Sequence, residues 1–312
     1  MATTTTVSSN YAGKVAGQII GKAFKEADTL RLGLVTVAQN VNFKYNLRKI
    51  KYTDGTVKYT CGHVPAGAIA LTEKVIQPVK FKNDFDVCKE DFRQTWSEDL
   101  IGASASNPNA PRDIMEAITV EVLGEQAEFV EEQIWQADET SGTDEFDGLL
   151  KQFDIDNNVI KANNGITPLE APITENNVES ELKKVLTAIP VAMRRKNLTV
   201  AVSPDVFQAY SFYLVSKGIS TNGDASPKQA RFGRYTLTEV NGLPDNTIVV
   251  FEPKNVVFAT GLLGDHNMIS LVDEDDIGLL TGKVRGKLVY NMGVGYYNSE
   301  EIVWYLSTET AE

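Results

Sequence analysis

Apolar and polar positions alternate along residues 35–81, and a period of two predicts β-strands. The clearest apolar positions of this pattern are Val41, Phe43, Tyr45 and Leu47. Asp54-Gly55 interrupts the alternation, and this pair favours the positive φ of a tight hairpin turn. We therefore predict a hairpin with its tip at residues 53–56, a return through residues 57–61, and a second extended run over residues 71–81.

This predicted hairpin has polar residues on both of its faces, so its own domain is expected to cover it only thinly. An isolated two-stranded ribbon is marginally stable in water and usually needs a partner. The pattern therefore favours a protein in which the hairpin gains its burial from another molecule.

The longest predicted helix covers residues 111–137, which corresponds to about 40 Å at 1.5 Å per residue. Its apolar stripe consists of Ile114, Ile118, Leu123, Ala127, Val130 and Ile134. Its opposite face is predicted to be acidic and solvated, with Glu121, Glu125, Glu128, Glu131 and Glu132. Pro111 suits the first helical turn.

The second half of the chain alternates between helical and extended patterns, as expected for an α+β or α/β domain. A helix over residues 174–189 with Thr174 as N-cap, a strand over 197–202 and a helix from Ser203-Pro204 to about Gly218 are predicted. Residues 219–234 are polar and predict a surface loop. Further strands are predicted at residues 236–240, 247–251, 256–259, 268–272, 283–295 and 302–306.

The N-terminal residues predict a mobile arm of small hydroxyl side chains followed by a helix over residues 11–30. Three glycines weaken this helix, because each costs up to about 1 kcal/mol relative to Ala. They are Gly13, Gly17 and Gly21. We therefore expect the helix to depend on a partner.

Charge and composition argue against several classes of protein. The 312 residues include 30 basic and 42 acidic side chains, for a net charge of −12, whereas a nucleic-acid reader normally carries a basic surplus. No apolar run is long enough for a membrane span, and the N-terminus lacks the features of a secretory signal. With two cysteines, Cys61 and Cys88, no disulfide framework is expected, and the chain is expected to stay in a reducing cytoplasm.

No catalytic, cofactor or metal site is predicted. Cys61, His63 and Cys88 lack the paired spacing of a zinc site, and Cys61 is expected to be a buried thiol. Residues 154–158 begin like a calcium loop but lack its Gly and its terminal Glu. Gly293-Val-Gly295 lacks the third glycine of a dinucleotide fingerprint. The carboxylates of Asp273, Glu274, Asp275 and Asp276 predict a solvated loop. The alternatives are a divalent-ion site and a surface that meets a basic neighbour.

The order of these elements resembles the tailed-bacteriophage major capsid protein family with the Hong Kong 97-type fold. Five segments carry the resemblance: residues 146–150, 201–210, 241–251, 255–261 and 293–303. The resemblance implies an α+β capsid fold with an N-terminal arm at residues 1–31 and an extended hairpin loop at 32–82. It also implies a peripheral domain at 83–163 with helix 111–137 as its spine, an axial domain at 164–265, and a return to the peripheral domain at 266–312.

The resemblance further implies a shell subunit without enzymatic activity that forms pentamers and hexamers around double-stranded DNA in a virion. It would be made in the bacterial host cytoplasm and would work with a separate scaffolding protein, a portal and possible decoration proteins. The predicted inter-subunit contacts are at Lys51, Asp54, Gly55, Thr56, Lys58, Asp273, Glu274, Asp275 and Asp276. The alternatives are an encapsulin-type nanocompartment shell, a tail-tube protein and a soluble enzyme.

Overall fold

A computed structural model describes most of the chain. The described residues are 27–53, 55–59, 61–62, 67–88, 112–141, 146–161, 166–219, 228–261, 270–274, 278 and 281–307. For residues 53, 112–121, 270, 271 and 273 only the backbone is described. The predicted helix at residues 11–30 falls almost entirely outside this part of the chain.

The helices follow the predicted apolar spacing. They are α1 (Asp28–Arg31), α2 (Arg112–Gln136), α3 (Leu149–Ile155), α4 (Val178–Ala188) and α5 (Pro204–Ser216). Helix α2 is one residue shorter at each end than predicted, and the apolar stripe of its second half is buried. Helix α5 starts with Pro204 directly after Ser203 and stops before Gly218, whose positive φ of 70° ends the helix.

Within the described residues, the strands form two five-stranded sheets and one two-stranded ribbon. They are β1 (Thr36–Ala38), β2 (Tyr45–Thr53), β3 (Ala68–Ile76), β4 (Val79–Cys88), β5 (Thr199–Val202), β6 (Gln229–Phe232), β7 (Tyr235–Glu239), β8 (Thr247–Phe251), β9 (Val256–Thr260), β10 (Ser270–Asp273), β11 (Lys283–Tyr296) and β12 (Ile302–Leu306). One sheet has the order β1-β9-β11-β10, with β4 also paired to β11. The other has the order β12-β8-β5-β7-β6, and β2 and β3 form the ribbon.

Two large apolar cores lie on the two sheets. The first packs α2 and α3 against β11, with Trp135, Phe153 and Tyr296 among its largest fully buried side chains. The second packs α4 and α5 on the sheet that contains β5 and β8. The ribbon belongs to neither of these cores, and only its base joins a small third cluster that includes Leu47 and Ile76.

The hairpin differs from its predicted form. Strand β2 ends at Thr53 as expected, but Thr53 pairs with Ala68 and not with a residue just after Asp54-Gly55. The prediction of a tight turn was therefore wrong, because Thr53 and Ala68, the pair nearest the tip, lie too far apart in the sequence for a two-residue turn to join them. The predicted second run over residues 71–81 is divided between β3 and β4, and β4 belongs to a sheet of the body.

Strands on either side of the predicted boundary at residue 265 pair with each other. Strand β9, predicted in the axial segment, pairs with β1 and β11. Strand β12, predicted in the C-terminal return, pairs with β8. The predicted loop at residues 219–234 contains a strand, since β6 pairs with β7. Helix α4 begins at Val178 after Asn177, so Thr174 is not its N-cap.

Glu131 corrects the predicted acidic face of α2. Glu125, Glu128 and Glu132 are exposed as expected, but Glu131 is only 4% exposed. Its carboxylate accepts hydrogen bonds from the Thr29 backbone N–H at 3.0 Å and from the Thr29 hydroxyl at 2.5 Å. The Thr29 hydroxyl in turn accepts one from the Trp135 indole N–H at 2.8 Å. This cluster joins α1 to α2.

Burial raises the pKa of Glu131 above 4.5, the nearby Asp28 raises it further, and the Thr29 hydrogen bonds oppose the change. The folded state therefore binds a proton that the unfolded state has lost above about pH 4.5, so this group lowers stability as pH rises from there. We expect Glu131→Gln to remove this dependence. Urea unfolding of both proteins between pH 4 and pH 8 should show the wild type losing stability relative to the variant as pH rises, and a constant difference would contradict the assignment.

Candidate inter-subunit interface

The base of the ribbon rests on two glycines of β11. Leu47 and Ile76 are 2% and 5% exposed, whereas every other residue of β3 is exposed. A Cβ atom on Gly295 would lie 2.7 Å from Cγ1 of Ile76, and one on Gly293 would lie 3.1 Å from Cγ2 of Ile76. Gly293-Val-Gly295 is therefore the place where the ribbon leaves the body, because only glycine leaves room for its base.

We expect Gly295→Val to displace the base of the ribbon and to cost about 1–3 kcal/mol, the usual range for overpacking. Chemical denaturation would measure the loss, and faster hydrogen exchange in β2 would locate it. Gly124→Ala is the matched control, since a Cβ on Gly124 meets no atom of the described residues within 4 Å and should stabilise α2 by about 0.5–1 kcal/mol. Equal stability and equal exchange in Gly295→Val and wild type would refute this role.

The antiparallel register divides the ribbon into two faces, because directly opposed residues point to the same side. We define the inner face as Tyr45, Leu47, Lys49, Lys51, Ala70, Thr72, Lys74 and Ile76. We define the outer face as Asn46, Arg48, Ile50, Tyr52, Ile69, Leu71, Glu73 and Val75.

The inner face is attached to the body by three lysines. Lys49 donates a hydrogen bond to Oδ1 of Asn298 at 2.5 Å, and Lys51 pairs with Glu300 at 3.0 Å. The hydrogen bond from Lys51 lowers the pKa of Glu300 below its usual value. These contacts hold the lower part of the ribbon in a defined direction.

Lys74 makes the most extensive of these contacts. Its ammonium group lies 3.0 Å from the Asp156 carboxylate and 3.7 Å from the centre of the Tyr296 ring, and the Tyr296 hydroxyl donates to the same carboxylate at 3.0 Å. Burial alone would raise the pKa of Asp156, but hydrogen bonds from the Asn158 N–H and from Lys74 lower it to about 2.

Lys74→Met should therefore cost about 1 kcal/mol at neutral pH, since the lysine is partly exposed and its pairing is screened. Because the pKa of Asp156 is depressed in the folded state, this stabilisation is complete above about pH 4 and is lost as pH falls through about 2. Urea titrations from pH 7 down to pH 2 should show the difference in unfolding free energy between wild type and variant shrinking below about pH 4. A difference that grows with acid would contradict the pairing.

The outer face carries an exposed apolar patch. Two successive cross-strand pairs, Ile50 with Leu71 and Tyr52 with Ile69, are 70%, 63%, 62% and 74% exposed. Val75 nearer the base is 52% exposed, and the only charged cross-strand pair on this face, Arg48 with Glu73, is separated by 3.8 Å. Contiguous exposed apolar surface of this kind marks a site of interaction with another molecule.

The predicted contact residues are not gathered at one place. Lys51 pairs with Glu300 of its own chain, Gly55 is half-buried, and Thr56 and Lys58 are exposed beyond the end of β2. Glu274 is buried and pairs with Arg285 at 2.6 Å, so the expectation of a solvated loop was wrong at this residue. Asp54, Asp275, Asp276 and the side chain of Asp273 lie outside the described part of the chain.

The sequence reasoning missed the outer-face residues themselves. Ile50, Tyr52, Ile69 and Leu71 alternate with polar or small residues, and this signal was available, but only the register shows that they share a face. Within the described residues, no group of three potential ligands could hold a metal ion. Cys61, expected to be buried, is exposed. In the same part of the chain, no helix has both the length and the apolar character to cross a membrane.

The sequence matches no protein-family model, and no curated protein was found to be related to it. Its structure is similar to solved shells. The capsid of the native GTA particle aligns with a TM-score of 0.62 and 12% identity over 90% of each chain. The satellite phage P4 procapsid that includes the size determination protein Sid aligns with a TM-score of 0.59 and 11% identity, over 96% of this chain and 93% of the other.

The virus-like particle from Pyrococcus furiosus also aligns, with a TM-score of 0.53 and 12% identity over 92% of this chain and 96% of the other. The chain therefore has the mixed helix-and-sheet fold of phage capsid proteins, as the order of its elements predicted.

Proposed function

We propose that this chain is the major capsid protein of a tailed double-stranded DNA phage, and that its copies assemble into pentamers and hexamers of an icosahedral shell. The observation that carries the proposal is the apolar patch on the outer face of the ribbon, which the described residues of the subunit leave exposed. The fold shared with phage shells supports the same conclusion.

The ribbon would supply adhesion between subunits. Complete burial of a side chain such as Ile or Leu stabilises by about 1.5–3 kcal/mol, so the four residues of the patch would contribute several kcal/mol per subunit. A closed shell repeats this contact at every subunit, so a moderate energy at each interface is sufficient. The lysines of the inner face set the direction in which the ribbon reaches a neighbour.

The division of the chain follows from this proposal. Residues 1–31 would form the arm and residues 32–82 the extended loop, of which residues 45–76 are the ribbon. Residues 83–163 would form the peripheral domain around α2, residues 164–265 the axial domain, and residues 266–312 the return. Two pairings cross the boundary between residues 265 and 266. Strand β9 of the axial domain pairs with β11 of the return, and β12 of the return pairs with β8 of the axial domain.

The partners of the subunit would be its own copies, a separate scaffolding protein, a portal and possible decoration proteins. The shell would assemble in the bacterial host cytoplasm and become part of the virion. A net charge of −12 suits a wall that encloses DNA without binding it tightly, because like charges repel. No enzymatic activity is part of this function.

Expression of the full chain, alone and with candidate scaffolding proteins, followed by electron microscopy tests the proposal. Icosahedral shells, or shells that form only with a scaffold, are the expected result. Small uniform shells that form alone and retain a cargo enzyme would favour the encapsulin alternative. Tubes, or a stable monomer under every condition, would overturn the proposal.

A further inference from the structure

One end of the sheet that contains β5 and β8 is basic. The register pairs Thr199 of β5 with Thr236 of β7 and with Phe251 of β8, so the connection that enters β5 and the turn from β6 into β7 lie at the same end of the sheet. The two segments meet there, because the guanidinium group of Arg234 donates a hydrogen bond to the carbonyl oxygen of Arg194.

Four arginines are concentrated at this end of the sheet. We define them as the arginine patch: Arg194, Arg195, Arg231 and Arg234. All four are exposed, and none of them forms an ion pair within the described part of the chain. The next cation, Lys196, is compensated, since it pairs with Glu252 at 3.1 Å and with Glu301 at 2.5 Å. The chain has nine arginines and a net charge of −12, so the patch is a local reversal of its overall charge.

The stability of the fold explains only part of the patch. Arg194 donates hydrogen bonds at 3.0 and 3.1 Å to two carbonyl oxygens at the end of α4, where a cation is favourable. The guanidinium carbon of Arg234 lies 5.1 Å from the centre of the Tyr235 ring, which restricts the directions that this side chain can take. The side chains of Arg195 and Arg231 form no hydrogen bond with the described residues, so they remain available to another molecule.

The extent and chemistry of the patch fit a nucleic-acid backbone. Neighbouring strands lie about 4.8 Å apart, so the patch extends about 10 Å from the entry of β5, across β7, to β6. Each strand of duplex DNA carries a phosphate about every 3.4 Å along the axis, so this distance corresponds to about three phosphates. Guanidinium groups bind phosphate oxygens through two parallel hydrogen bonds. Gly233, with a φ of 61°, forms the turn before Arg234, so the patch lies at a hairpin tip that can contact an extended backbone.

We propose that the arginine patch binds the phosphate backbone of double-stranded DNA, weakly and independently of base sequence. The inference rests on the proposed function for its partner, because a shell that encloses DNA brings phosphates to its subunits at high concentration. The net charge of −12 opposes tight binding, and about three contacts per subunit add only a weak local attraction. The wall would then hold the adjacent DNA through many weak contacts that salt weakens further.

Binding of the purified full-length subunit to a short fluorescent DNA duplex, measured by anisotropy over a series of salt concentrations, tests this inference. With about three phosphates neutralised, the logarithm of the binding constant should fall with the logarithm of the salt concentration with a slope of about −3. Arg195→Gln with Arg234→Gln should weaken binding at low salt by about tenfold or more and reduce the slope by about two. Duplexes of unrelated sequence should bind equally, since phosphate contacts carry no sequence information.

Lys80→Gln with Lys287→Gln is the matched control, because it removes two positive charges at exposed residues of the other sheet. It changes the net charge by the same amount and should leave the slope unchanged. Circular dichroism would verify that each variant folds. Arg195→Gln alone removes no hydrogen bond among the described residues, so this variant keeps the fold and should still lower the slope by about one.

Three results would overturn the proposal. The first is a wild-type subunit that shows no salt-dependent binding of the duplex even at the lowest salt. The second is an equal loss of binding in the arginine and lysine variants. The third is association between subunits that requires Arg195 and Arg234 while the duplex is not bound, which would assign the patch to an acidic protein surface. Electron microscopy reads shell formation separately, so normal shells without duplex binding would overturn this inference and leave the proposed function standing.

Discussion

Leu71→Asp is expected to abolish shell assembly and to leave the subunit folded. Leu71 is 63% exposed on the outer face of the ribbon, so the monomer loses little packing. At an interface, the same change removes about 1.5–3 kcal/mol of apolar burial and adds an unpaired charge that costs several kcal/mol more to bury. Because a closed shell repeats the contact at every subunit, these losses act together and no partial shell should persist.

Ala70→Asp is the matched control for this experiment. Ala70 is the adjacent residue of the same strand, is also exposed, and lies on the inner face opposite Lys51. In Ala70→Asp the same negative charge is introduced beside the Lys51 ammonium group, away from the apolar patch, so assembly should be retained. Circular dichroism and unfolding would verify that both variants fold, and electron microscopy with sedimentation would measure assembly. Normal shells from Leu71→Asp, or equal failure of both variants, would exclude the outer face as the specific contact.

Thr29→Val is expected to destabilise the fold by about 2–4 kcal/mol, since it affects three buried groups at once. Valine has nearly the shape of threonine but lacks the hydroxyl that donates to Glu131 and accepts from the Trp135 indole. Both Glu131 and Trp135 are buried, at 4% and 0% exposure, so each would keep a polar group without this partner. Leaving buried polar groups unpaired costs more than the lost hydrogen bonds themselves.

Thr36→Val provides the comparison for this prediction. The Thr36 hydroxyl donates to the carbonyl oxygen of Pro253 at 3.3 Å in an exposed position of β1, where valine is well accommodated. Its unfolding free energy should remain within about 0.5 kcal/mol of the wild type, as is usual for surface substitutions. Similar unfolding free energies for the two variants, measured by urea denaturation, would show that the cluster between α1 and α2 contributes no special stability.

Local patterns predicted the elements well where one face of an element meets a core. Helix α2 was predicted within one residue at each end, and β8 was predicted at its observed bounds. The tip of the ribbon was predicted wrongly, since Asp54-Gly55 is a strong local turn signal that the structure does not use as a tight hairpin. The entropic cost of closing a loop rises only slowly with its length, so a long connection between two strands is little less favourable than a short one.

Glu131 and Gly295 show why part of the site was missed. In the sequence, Glu131 is one of six glutamates of α2, and its burial depends on Thr29, which lies 102 residues away. Gly295 was considered for nucleotide binding and rejected, but its actual contact is with Ile76 on a strand far away in the sequence. Neither contact has a local signature, because each depends on which elements pack together.

The sequence by itself determined most of the helices and strands, the acidic character of the chain, the presence of a thinly supported ribbon, and the order of elements typical of a capsid fold. Periodicity and turn residues encode these properties locally. Only the tertiary structure decided the register of β2 with β3, and with it which residues form the outer face. A shift of one residue in that pairing would turn every side chain to the opposite face, so the interface follows from a long-range pairing that local patterns do not specify.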